Sequence, residues 1–543
     1  MATETKKDRY KFLYNNFQWN VPEYYNFGFD VVDQWAEDRT KLALISLTGS
    51  GEKAHYHTFY DLKVLSDQFA NVLKNKGIKK GDRVLVILQS IPEWYITLIG
   101  LFKRGVVAMP GTVLLTEHDI EYRLNRAEGC MVITDLDHAS KVELIKKKCP
   151  TLKHVMLVDA QREGWMNYQE EINKVPRVME KEKDYKTRST DPLLIYFTSG
   201  TTGPPKMVLH SHSYPLGHEV TARFAQALTK CDLHWTVSET GWAKAAWGKL
   251  FGQMIVGAAI IQWETPGRFD PHGLLNAMER YGVTTFCAPP TVYRLLIQLD
   301  LQKYHLNLRH CMSAGEPLNP EIIRVWKKAF GLEIYDFYGQ TETVCVLSNY
   351  PFMPIKYGSV GKPTPGHDVR IVDDMGQEVE ENQEGNIALY IGKERPPGLF
   401  TEYWKDPDAM QEAFRGDYYF TGDRGYKDKD GYFWFVGRSD DVIKSSGYRI
   451  GPFEVESALL EHNAVVECAV VAALDPKGVR GDIVKAFVVL ARGIRPSSSL
   501  TKELQEYVKK VTAPYKYPRV IEYVDELPKT TSGKILRREL RKK

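Results

Sequence analysis

The chain has 543 residues, 43% of them hydrophobic, and a formal net charge of +3. This length exceeds what one hydrophobic core normally serves, so we expect at least two domains. The near-neutral charge gives no support to a nucleic-acid partner, which would need a clustered basic face. The longest apolar stretch, LFGQMIVGAAIIQW (250–263), falls short of the ~20 residues that span a bilayer, so we expect no membrane span.

The cysteines and the N-terminus bear on the compartment. The seven cysteines are widely spaced and odd in number, without a CxxC or Cys/His zinc spacing. This pattern argues against a disulfide framework and a zinc site, and it fits a reducing compartment. The first residues, MATETKKDRYKFLYNNF, carry cations but no apolar core, so they do not form a secretory signal. We expect a cytoplasmic protein, with the mitochondrial matrix as the alternative if a transit peptide has been removed.

Short apolar runs alternate with helical patterns through most of the chain. DRVLVILQS (82–90) predicts a buried strand, and PEWYITLIGLFKRG (92–105) predicts a helix that ends at Gly105. Further strands are predicted at VVAMPG, CMVITD, HVMLVD, LLIYF, VTTFCAP and IYDFY, and further helices over 290–299 and 319–330. This alternation predicts βαβ units and largely parallel sheets.

The pattern changes in the last third of the chain. From about residue 358, short strands and glycine turns such as DKDGYFWFVGR predict an antiparallel β subdomain. Beyond Arg438, EVESALLEH and SLTKELQEYVKKV predict helices, and CAVVAALD and IVKAFVVLA predict strands. We therefore predict an α/β fold with a large N-terminal domain (1–437) of mainly parallel sheets, helices and a small β subdomain. A small α+β domain (438–543) follows, and its last residues, LRRELRKK, are interpreted as a helix with a solvated charged face.

The stretch YFTSGTTGPPKMV (196–208) places glycines and hydroxyl side chains directly after a buried strand, and one lysine closes the loop. Open α/β sheets hold phosphates at such loops, because glycines let backbone N–H groups approach and Ser/Thr hydroxyls add donors. The GxxGxxK spacing differs from the Walker GxxxxGK[ST] pattern. The spacing alone favours phosphate binding over a flexible linker, with Lys206 as the cation for the outer phosphates.

FTSGTTGPPK resembles the phosphate loop of the adenylate-forming superfamily, which includes acyl-CoA synthetases, luciferases and peptide-synthetase adenylation domains. The family's other motifs follow in order. YGQTET (338–343) resembles the motif on the adenine and magnesium side, and YYFTGD (418–423) resembles the ribose motif. GRSDDVIKSSGYRIGPFEVE (437–456) resembles the hinge motif, and PKTTSGKILRREL (528–540) resembles the motif of the C-terminal lysine. The resemblance spans roughly residues 30–543, and SSGYRIGP and VTAPYKYP (511–518) are most similar to medium-chain acyl-CoA synthetases. It implies that a carboxylate and ATP form acyl-AMP and diphosphate, and that CoA then displaces AMP to give a thioester.

The resemblance implies a nucleotide site with Lys534, Lys206 and Glu342 as catalytic residues. Cations at such a site stabilise the charge that builds when a carboxylate attacks a phosphate. Glu342 is also the implied Mg²⁺ ligand, because its oxygens suit a hard cation between phosphates. Asp423 would accept the ribose hydroxyls, and Tyr338 would stack on adenine, with core packing as its alternative. The implied nucleotide-binding residues are Thr198, Ser199, Gly200, Thr201, Thr202, Gly203, Gly315, Glu316, Pro317, Asp336, Phe337, Tyr338, Gly339, Gln340, Thr341, Asp423, Arg438 and Arg449.

The resemblance also implies a mobile C-terminal domain. Asp440 stands at the hinge position, about which the small domain rotates after adenylation, carrying Lys534 away and bringing CoA-binding residues in. The implied CoA-binding residues are Ser446, Gly447, Tyr448, Arg480, Lys509 and Tyr517. A solvated surface position is the alternative for Arg480 and Lys509, which are long cationic side chains.

The acyl pocket is expected to include Trp242, Lys244, Trp247, Cys287 and Gly339. Acetate-type relatives carry a tryptophan where this chain has Gly339, so the glycine removes a wall behind a two-carbon chain. Residues 244 and 247 would share a helix face, and Trp247 would then narrow the tunnel. Ordinary core packing is the alternative for both tryptophans. We expect the enzyme to prefer short-to-medium, branched or aryl acids of about four to eight carbons. Each methylene of the substrate adds buried apolar surface until the chain meets the aromatic wall.

The sequence therefore predicts an AMP-forming acyl-CoA synthetase, an acid-thiol ligase with ATP and CoA as substrates and Mg²⁺ as cofactor. The alternatives are an aryl- or benzoate-type CoA ligase, another adenylate-forming enzyme, and a non-catalytic nucleotide-binding protein. The last would show erosion at Lys206, Glu342, Asp423, Arg438 or Lys534, and all five are intact. The expected partners are small-molecule substrates, and a homodimer is left open.

Overall fold

The computed structural model describes residues 6–179, 186–198, 205–263, 269–316, 318–439, 441–445, 448–474, 482–529 and 535–542. In these ranges the strands are β1 Leu42–Thr48, β2 Lys53–Thr58, β3 Arg83–Ile87, β4 Val107–Gly111, β5 Met131–Thr134, β6 His154–Leu157, β7 Met166–Asn167, β8 Pro192–Thr198, β9 Lys206–Ser211, β10 Leu233–Thr236, β11 Ala259–Trp263, β12 Thr285–Ala288, β13 His310–Ala314, β14 Ile334–Gly339, β15 Cys345–Ser348, β16 Lys362–Pro363, β17 Asp368–Val372, β18 Gly385–Tyr390, β19 Glu402–Tyr403, β20 Phe414–Arg415, β21 Tyr418–Lys427, β22 Phe433–Arg438, β23 Ile443–Ser445, β24 Tyr448–Ile450, β25 Val465–Leu474, β26 Asp482–Leu490 and β27 Val520–Tyr523.

The α-helices in the same ranges are α1 Lys6–Asn16, α2 Asp33–Trp35, α3 Phe59–Asn75, α4 Pro92–Lys103, α5 Glu117–Ala127, α6 Leu136–Ile145, α7 Tyr168–Asn173, α8 Tyr214–Val220, α9 Ala243–Lys249, α10 Phe251–Val256, α11 Pro271–Tyr281, α12 Pro290–Leu296, α13 Pro320–Phe330, α14 Pro407–Ala413, α15 Pro452–Leu460, α16 Ser498–Val511 and α17 Arg537–Arg541. Short π-helical turns occupy Gly28–Val32 and Thr221–Ala225. None of the helices described here has the length and apolar character that a bilayer crossing requires.

Two large sheets carry the N-terminal part of the chain. One has eight strands in the order β19-β9-β8-β4-β3-β5-β6-β7, and the other has nine in the order β16-β15-β14-β13-β12-β10-β11-β1-β2. In the first sheet, β3 pairs parallel with β4 and β5, and β5 pairs parallel with β6. In the second sheet, the neighbouring strands β14, β13, β12, β10 and β11 are all parallel. Strand β3 (RVLVI) is buried over its last four residues, as expected for a parallel sheet covered on both faces. These sheets confirm the α/β fold that the alternating sequence pattern predicts.

A buried ion-pair network fastens the helices that cover the first sheet. Lys103, fully buried at the end of α4, donates to Asp33 Oδ1 at 2.7 Å and to Asp67 Oδ1 at 2.6 Å. Lys63 lies 2.6 Å from the other oxygen of Asp67. The network joins α2, α3 and α4, and it satisfies charges that would be costly to bury alone. Gly105 follows this helix with a φ of +62°, which suits the glycine predicted to end it.

The predicted antiparallel β subdomain is present. Strands β17, β18, β21 and β20 follow one another in a sheet, with β22 paired to β21, and every one of these pairings is antiparallel. Strand β22 ends at Arg438, where the sequence places the boundary between the two domains. The boundary itself stays a prediction.

The C-terminal residues build a separate small sheet. Strand β25 pairs with β26 antiparallel, β26 pairs with β27 parallel, and α15 and α16 pack against these strands around their own apolar core. The prediction of a solvated face for the C-terminal helix is wrong at Arg537. Its guanidinium makes two 2.8 Å hydrogen bonds to the buried carboxylate of Glu456 on α15. Arg541 pairs with Asp441, whereas Arg538 and Lys542 are exposed, so the helix is held by ion pairs at two residues and is solvated at the others.

Candidate active site

The glycine-rich loop connects two antiparallel strands. Strands β8 and β9 pair so that Thr198 lies opposite Lys206, which places these two residues at the base of the loop. The predicted phosphate-binding residues 199–203 lie outside the described residues. Helix α5 contacts the residue before Lys206, because the Tyr122 hydroxyl donates to the Pro205 carbonyl at 3.1 Å. The strand pairing thus delivers Lys206 to a fixed position at the end of the loop.

Lys206 and Glu342 meet at one tyrosine. The Lys206 ammonium lies 4.8 Å from the centre of the Tyr403 ring, and the Tyr403 hydroxyl donates to Glu342 Oε1 at 2.9 Å. Burial raises the pKa of the Glu342 carboxyl, and the hydrogen bond from Tyr403 opposes that rise. Tyr403 therefore contacts both Lys206, which is predicted to bind phosphate, and Glu342, which is predicted to bind the metal. The sequence motifs do not include Tyr403.

A buried histidine supports the segment that carries Glu342. His210 Nε2 donates to the Thr341 carbonyl at 2.8 Å. Burial lowers the pKa of His210 to about 3, so the ring is neutral and its single proton is on the nitrogen that faces Thr341. His210 lies four residues after Lys206 on β9 and on the same face of that strand. Strand β9 thus contacts both Thr341 and, through Tyr403, Glu342.

The donor set around Glu342 fits a magnesium ion that arrives with its nucleotide. In the ranges that the structure describes, no group of three or more His, Cys, Asp or Glu side chains is placed to hold a metal. Mg²⁺ is usually bound by one or two carboxylates together with substrate phosphates and several waters, rather than by a cage of protein ligands. A single half-buried carboxylate beside the base of a phosphate loop matches that mode of binding.

Asp423 is oriented by three side chains. Its Oδ2 accepts hydrogen bonds from the Tyr338 hydroxyl at 2.6 Å and from Gln340 Nε2 at 2.7 Å. The Arg438 guanidinium lies 3.3 Å from Oδ1, because β21 and β22 pair Asp423 with Arg438 directly. Tyr419 donates to Gln340 Oε1 at 2.9 Å and fixes the orientation of that amide. Tyr338 therefore does more than fill core space, and the predicted ribose carboxylate sits in a built polar network.

The predicted adenine side follows the ends of β13 and β14. Asp336 is buried, its Oδ2 accepts from the Leu318 amide at 3.2 Å, and burial raises its pKa to about 8. Gly315 has a φ of +105°, a conformation that favours glycine, and Glu316 lies 3.6 Å from Arg294. Pro317 lies outside the described residues. Phe337 is buried and its ring centre lies 6.1 Å from that of Trp247.

The predicted acyl-pocket residues converge beside this region. Trp247 lies on α9, and its Cη2 is 2.8 Å from the point where a Cβ on Gly339 would lie. That Cβ would also be 2.2 Å from the Val344 carbonyl oxygen, so residue 339 admits no side chain without backbone movement. Lys244, one turn earlier on α9, donates to the Ala314 carbonyl at 2.8 Å. The indole of Trp247 thus takes the space that the glycine leaves.

The other two predicted pocket residues lie on or next to elements of the same part of the fold. Cys287 is buried on β12, and Trp242 is half-buried at the residue before α9. The predicted helix through 244 and 247 is confirmed, although it is broken at Leu250 before α10 begins.

The residues predicted to bind CoA are only partly described. The Lys509 ammonium lies 4.2 Å from the ring centre of Tyr517, so these two side chains are brought together. The backbones of Tyr448 and Arg449 belong to the β23–β24 hairpin, and their side chains lie outside the description. The other predicted residues that lie outside the described ranges are Asp440, Ser446, Gly447, Arg480 and Lys534.

Comparison with known families agrees with this geometry. Residues 31–404 match the family model of the AMP-binding enzyme, and residues 454–534 match that of the AMP-binding enzyme C-terminal domain. The chain belongs to the AMP-binding enzyme family. Among curated relatives, acyl-coenzyme A synthetase ACSM3, mitochondrial, of Mus musculus is 46% identical over 100% of this chain and 94% of its own length. Acyl-coenzyme A synthetase ACSM5, mitochondrial, of Rattus norvegicus is 47% identical over 96% of this chain and 91% of its own.

Solved structures of other AMP-binding enzymes share the fold. The anthranilate CoA ligase AuaEII, in complex with anthranoyl-AMP, superposes with a TM-score of 0.87 at 31% identity, covering 96% of this chain and 98% of that one. The acyl-CoA synthetase of Brucella canis gives 0.75 at 34% identity and covers 98% of both chains. A benzoate CoA ligase from Burkholderia xenovorans LB400 gives 0.84 at 27% identity, covering 95% of this chain and 100% of that one.

Sequence reasoning missed three side chains of this AMP-binding enzyme. His210 had a usable signal, because strand alternation after Lys206 places it on the same face. Tyr419 had one as well, because it lies in the motif YYFTGD that also contains Asp423, although its hydrogen-bond partner Gln340 is 79 residues away. Tyr403 had none, since it lies 61 residues from its partner Glu342 and outside the quoted motifs.

Proposed function

We propose that this AMP-binding enzyme is an AMP-forming acyl-CoA synthetase that acts on short-to-medium, branched or aryl carboxylic acids. The observation that carries the proposal is that residues 338–342 contact Asp423 at one end and the Tyr403–Lys206 pair at the other. At one end Tyr338 and Gln340 bind Asp423, and at the other Glu342 contacts Tyr403 beneath Lys206. A nucleotide with its ribose at Asp423 and its phosphates at Lys206 would lie along this segment.

The residue roles follow from that placement. Lys206 and the loop residues would bind the outer phosphates, Glu342 would bind the magnesium ion that accompanies ATP, and Lys534 would stabilise the charge of carboxylate attack on the α-phosphate. When bound, Mg²⁺ would neutralise charge on the phosphates. Gly315 and Tyr338 belong to the proposed adenine side, and Thr341 would face the α-phosphate.

The second half-reaction would use the C-terminal domain, which we place at residues 438–543. Rotation about Asp440 would withdraw Lys534 and bring in the CoA-binding residues. The contact between Lys509 and Tyr517 supports a shared role, because a cation beside an aromatic ring can bind both a phosphate and an adenine. The other proposed CoA-binding residues are Ser446, Gly447, Tyr448 and Arg480.

The contact between Trp247 and Gly339 supports the proposed acyl range. The indole of Trp247 packs against Gly339, and an aromatic wall at this position would stop long chains, which supports the upper end of the proposed range. The curated relatives are named acyl-coenzyme A synthetases, which supports alkyl acids, and two structural neighbours are aryl-CoA ligases. The relatives' names also include mitochondrial, which supports the mitochondrial alternative for location. A homodimer stays a prediction that light scattering after gel filtration would test.

The function is tested by diphosphate release with ATP, Mg²⁺ and a panel of straight, branched and aromatic acids, with and without CoA. We expect activity that depends on the acid and peaks between about four and eight carbons or at aryl acids, with acyl-CoA as the product when CoA is present. ATP hydrolysis that no acid stimulates would contradict the proposal.

The assignment of Lys534 is tested by separating the half-reactions. Lys534→Ala should abolish acyl-AMP formation while thioester formation from supplied acyl-AMP continues at nearly the wild-type rate. Lys529→Ala is the matched control, because Lys529 precedes Lys534 closely in the sequence and pairs with Glu467 at 2.9 Å. Equal loss of both half-reactions in Lys534→Ala would refute the assignment.

A further inference from the structure

Tyr403 connects the base of the phosphate loop to the candidate metal ligand. Its hydroxyl donates to Glu342 Oε1 at 2.9 Å, and its ring lies 4.8 Å below the Lys206 ammonium. Tyr403 is 6% exposed, and its ring packs against that of Phe400 at a centre-to-centre distance of 4.6 Å. One side chain therefore touches both of the charged groups that would bind the phosphates and their cation.

The backbone around Tyr403 is fixed from two directions. Strand β19 pairs antiparallel with β9, and the amides of Thr401 and Trp404 donate to the carbonyls of Leu209 and Met207 at 2.7 and 2.8 Å. The amide of Phe400 donates to the Glu342 carbonyl at 2.8 Å. The segment 400–404 thus holds Glu342 by its backbone as well as by its side chain, and it holds the strand that carries Lys206.

We propose that Tyr403 is a positioning residue for the magnesium–ATP complex, holding Glu342 Oε1 with its hydroxyl and the Lys206 ammonium over its ring. A carboxylate has about four lone-pair sites on two oxygens, so a hydrogen bond to Oε1 leaves Oε2 able to ligate a cation. Hydrogen bonds of this kind orient metal ligands, and their loss typically costs about 10- to 100-fold in metal affinity or activity. The proposal rests on the proposed function, because it needs an ATP site at Lys206.

The two contacts of Tyr403 are separable by substitution. Tyr403→Phe keeps the ring beneath Lys206 and the packing on Phe400, and it removes only the hydroxyl that binds Glu342. Tyr403→Leu removes the ring as well, so the Lys206 ammonium also loses its contact with the aromatic ring. Tyr293→Phe is the matched control, because Tyr293 is fully buried and its hydroxyl donates to the Met312 carbonyl at 3.2 Å in a different part of the core.

The test is calorimetric titration of ATP into each variant without any acid, once with excess Mg²⁺ and once with EDTA. For Tyr403→Phe we expect the Kd of the magnesium complex to rise about 10- to 100-fold while the Kd of metal-free ATP stays within about twofold of wild type. Tyr403→Leu should weaken binding under both conditions, because Lys206 contacts phosphate with or without the metal. Tyr293→Phe should match wild type under both.

Three results would overturn the proposal. Unchanged binding of magnesium–ATP by Tyr403→Phe would show that the hydroxyl does not orient the ligand. Equal weakening of Tyr403→Phe under both conditions would show a structural role unrelated to the cation. A wild-type chain that binds ATP under neither condition would refute the proposed function itself, which separates that failure from a failure at Tyr403 alone.

Discussion

Trp247→Ala should extend the range of acids that the enzyme accepts. The indole lies against Gly339, and no side chain at 339 can replace it without moving Val344, so Trp247 is the residue to change. Each further methylene that enters the vacated space should contribute about 0.8 kcal/mol, or roughly fourfold in kcat/KM. Three further methylenes should therefore raise kcat/KM by roughly sixty-fold relative to wild type with the same acid.

The assay is diphosphate release with straight-chain acids from acetate to dodecanoate. The expected result is an optimum that moves to longer acids in Trp247→Ala and a smaller change with the shortest acids, which do not reach the indole. Because removing a buried tryptophan typically costs about 3–5 kcal/mol of stability, rates are compared well below the melting temperature of the variant.

Trp326→Ala is the control for this loss of stability. Trp326 is fully buried on α13, where its ring packs 5.2 Å from that of Tyr293. Its removal should lower the stability by a similar amount without changing the preferred chain length. The reasoning fails if Trp247→Ala keeps the wild-type optimum, or if Trp326→Ala shifts the optimum as much.

Two further predictions concern stability. Asp336→Asn should flatten the pH dependence of the free energy of unfolding. Burial raises the pKa of Asp336 from 3.8 to about 8. The wild-type protein therefore loses stability as the pH rises between these two values, because the folded state holds a proton that the unfolded chain has released. Urea unfolding at several pH values from 5 to 8.5 measures this, and parallel curves for the two proteins would contradict it. Lys103→Met should lower the free energy of unfolding by about 3 kcal/mol, since Lys63 is then the one cation among the described residues that still pairs with Asp33 and Asp67. Urea unfolding at pH 7 checks this, and a loss below about 1 kcal/mol would refute it.

The fold was predictable because each strand and helix has a recognisable pattern in its own stretch of sequence. Runs such as RVLVI are apolar throughout, since a parallel sheet buries both faces, and the helices between them carry the 3.6-residue period. The antiparallel subdomain was equally visible from its glycine turns. These signals depend only on residues that are neighbours in the sequence.

Charge patterns predicted less well, because they do not show which partner a charged residue meets. The tail LRRELRKK looks solvated in the sequence, yet Arg537 binds the buried Glu456, which lies 81 residues earlier. Tyr403 was missed for the same reason. Its importance comes from the pairing of β19 with β9, and a two-residue strand leaves no periodic pattern to detect.

The direction of β9 explains why Lys206 and the segment 338–342 form one unit. Because β9 runs antiparallel to β8, it starts at Lys206 and leads away from the loop, and strand alternation then places His210 on the same face. His210 binds the Thr341 carbonyl, while Tyr403 connects Lys206 to Glu342, so a displacement of Lys206 would disturb residues 341 and 342 together. The described residues that we propose to bind the nucleotide are thus fixed to one another by the N-terminal sheets. The proposed rotation about Asp440 would then exchange Lys534 for the proposed CoA-binding residues without disturbing the proposed phosphate and metal site.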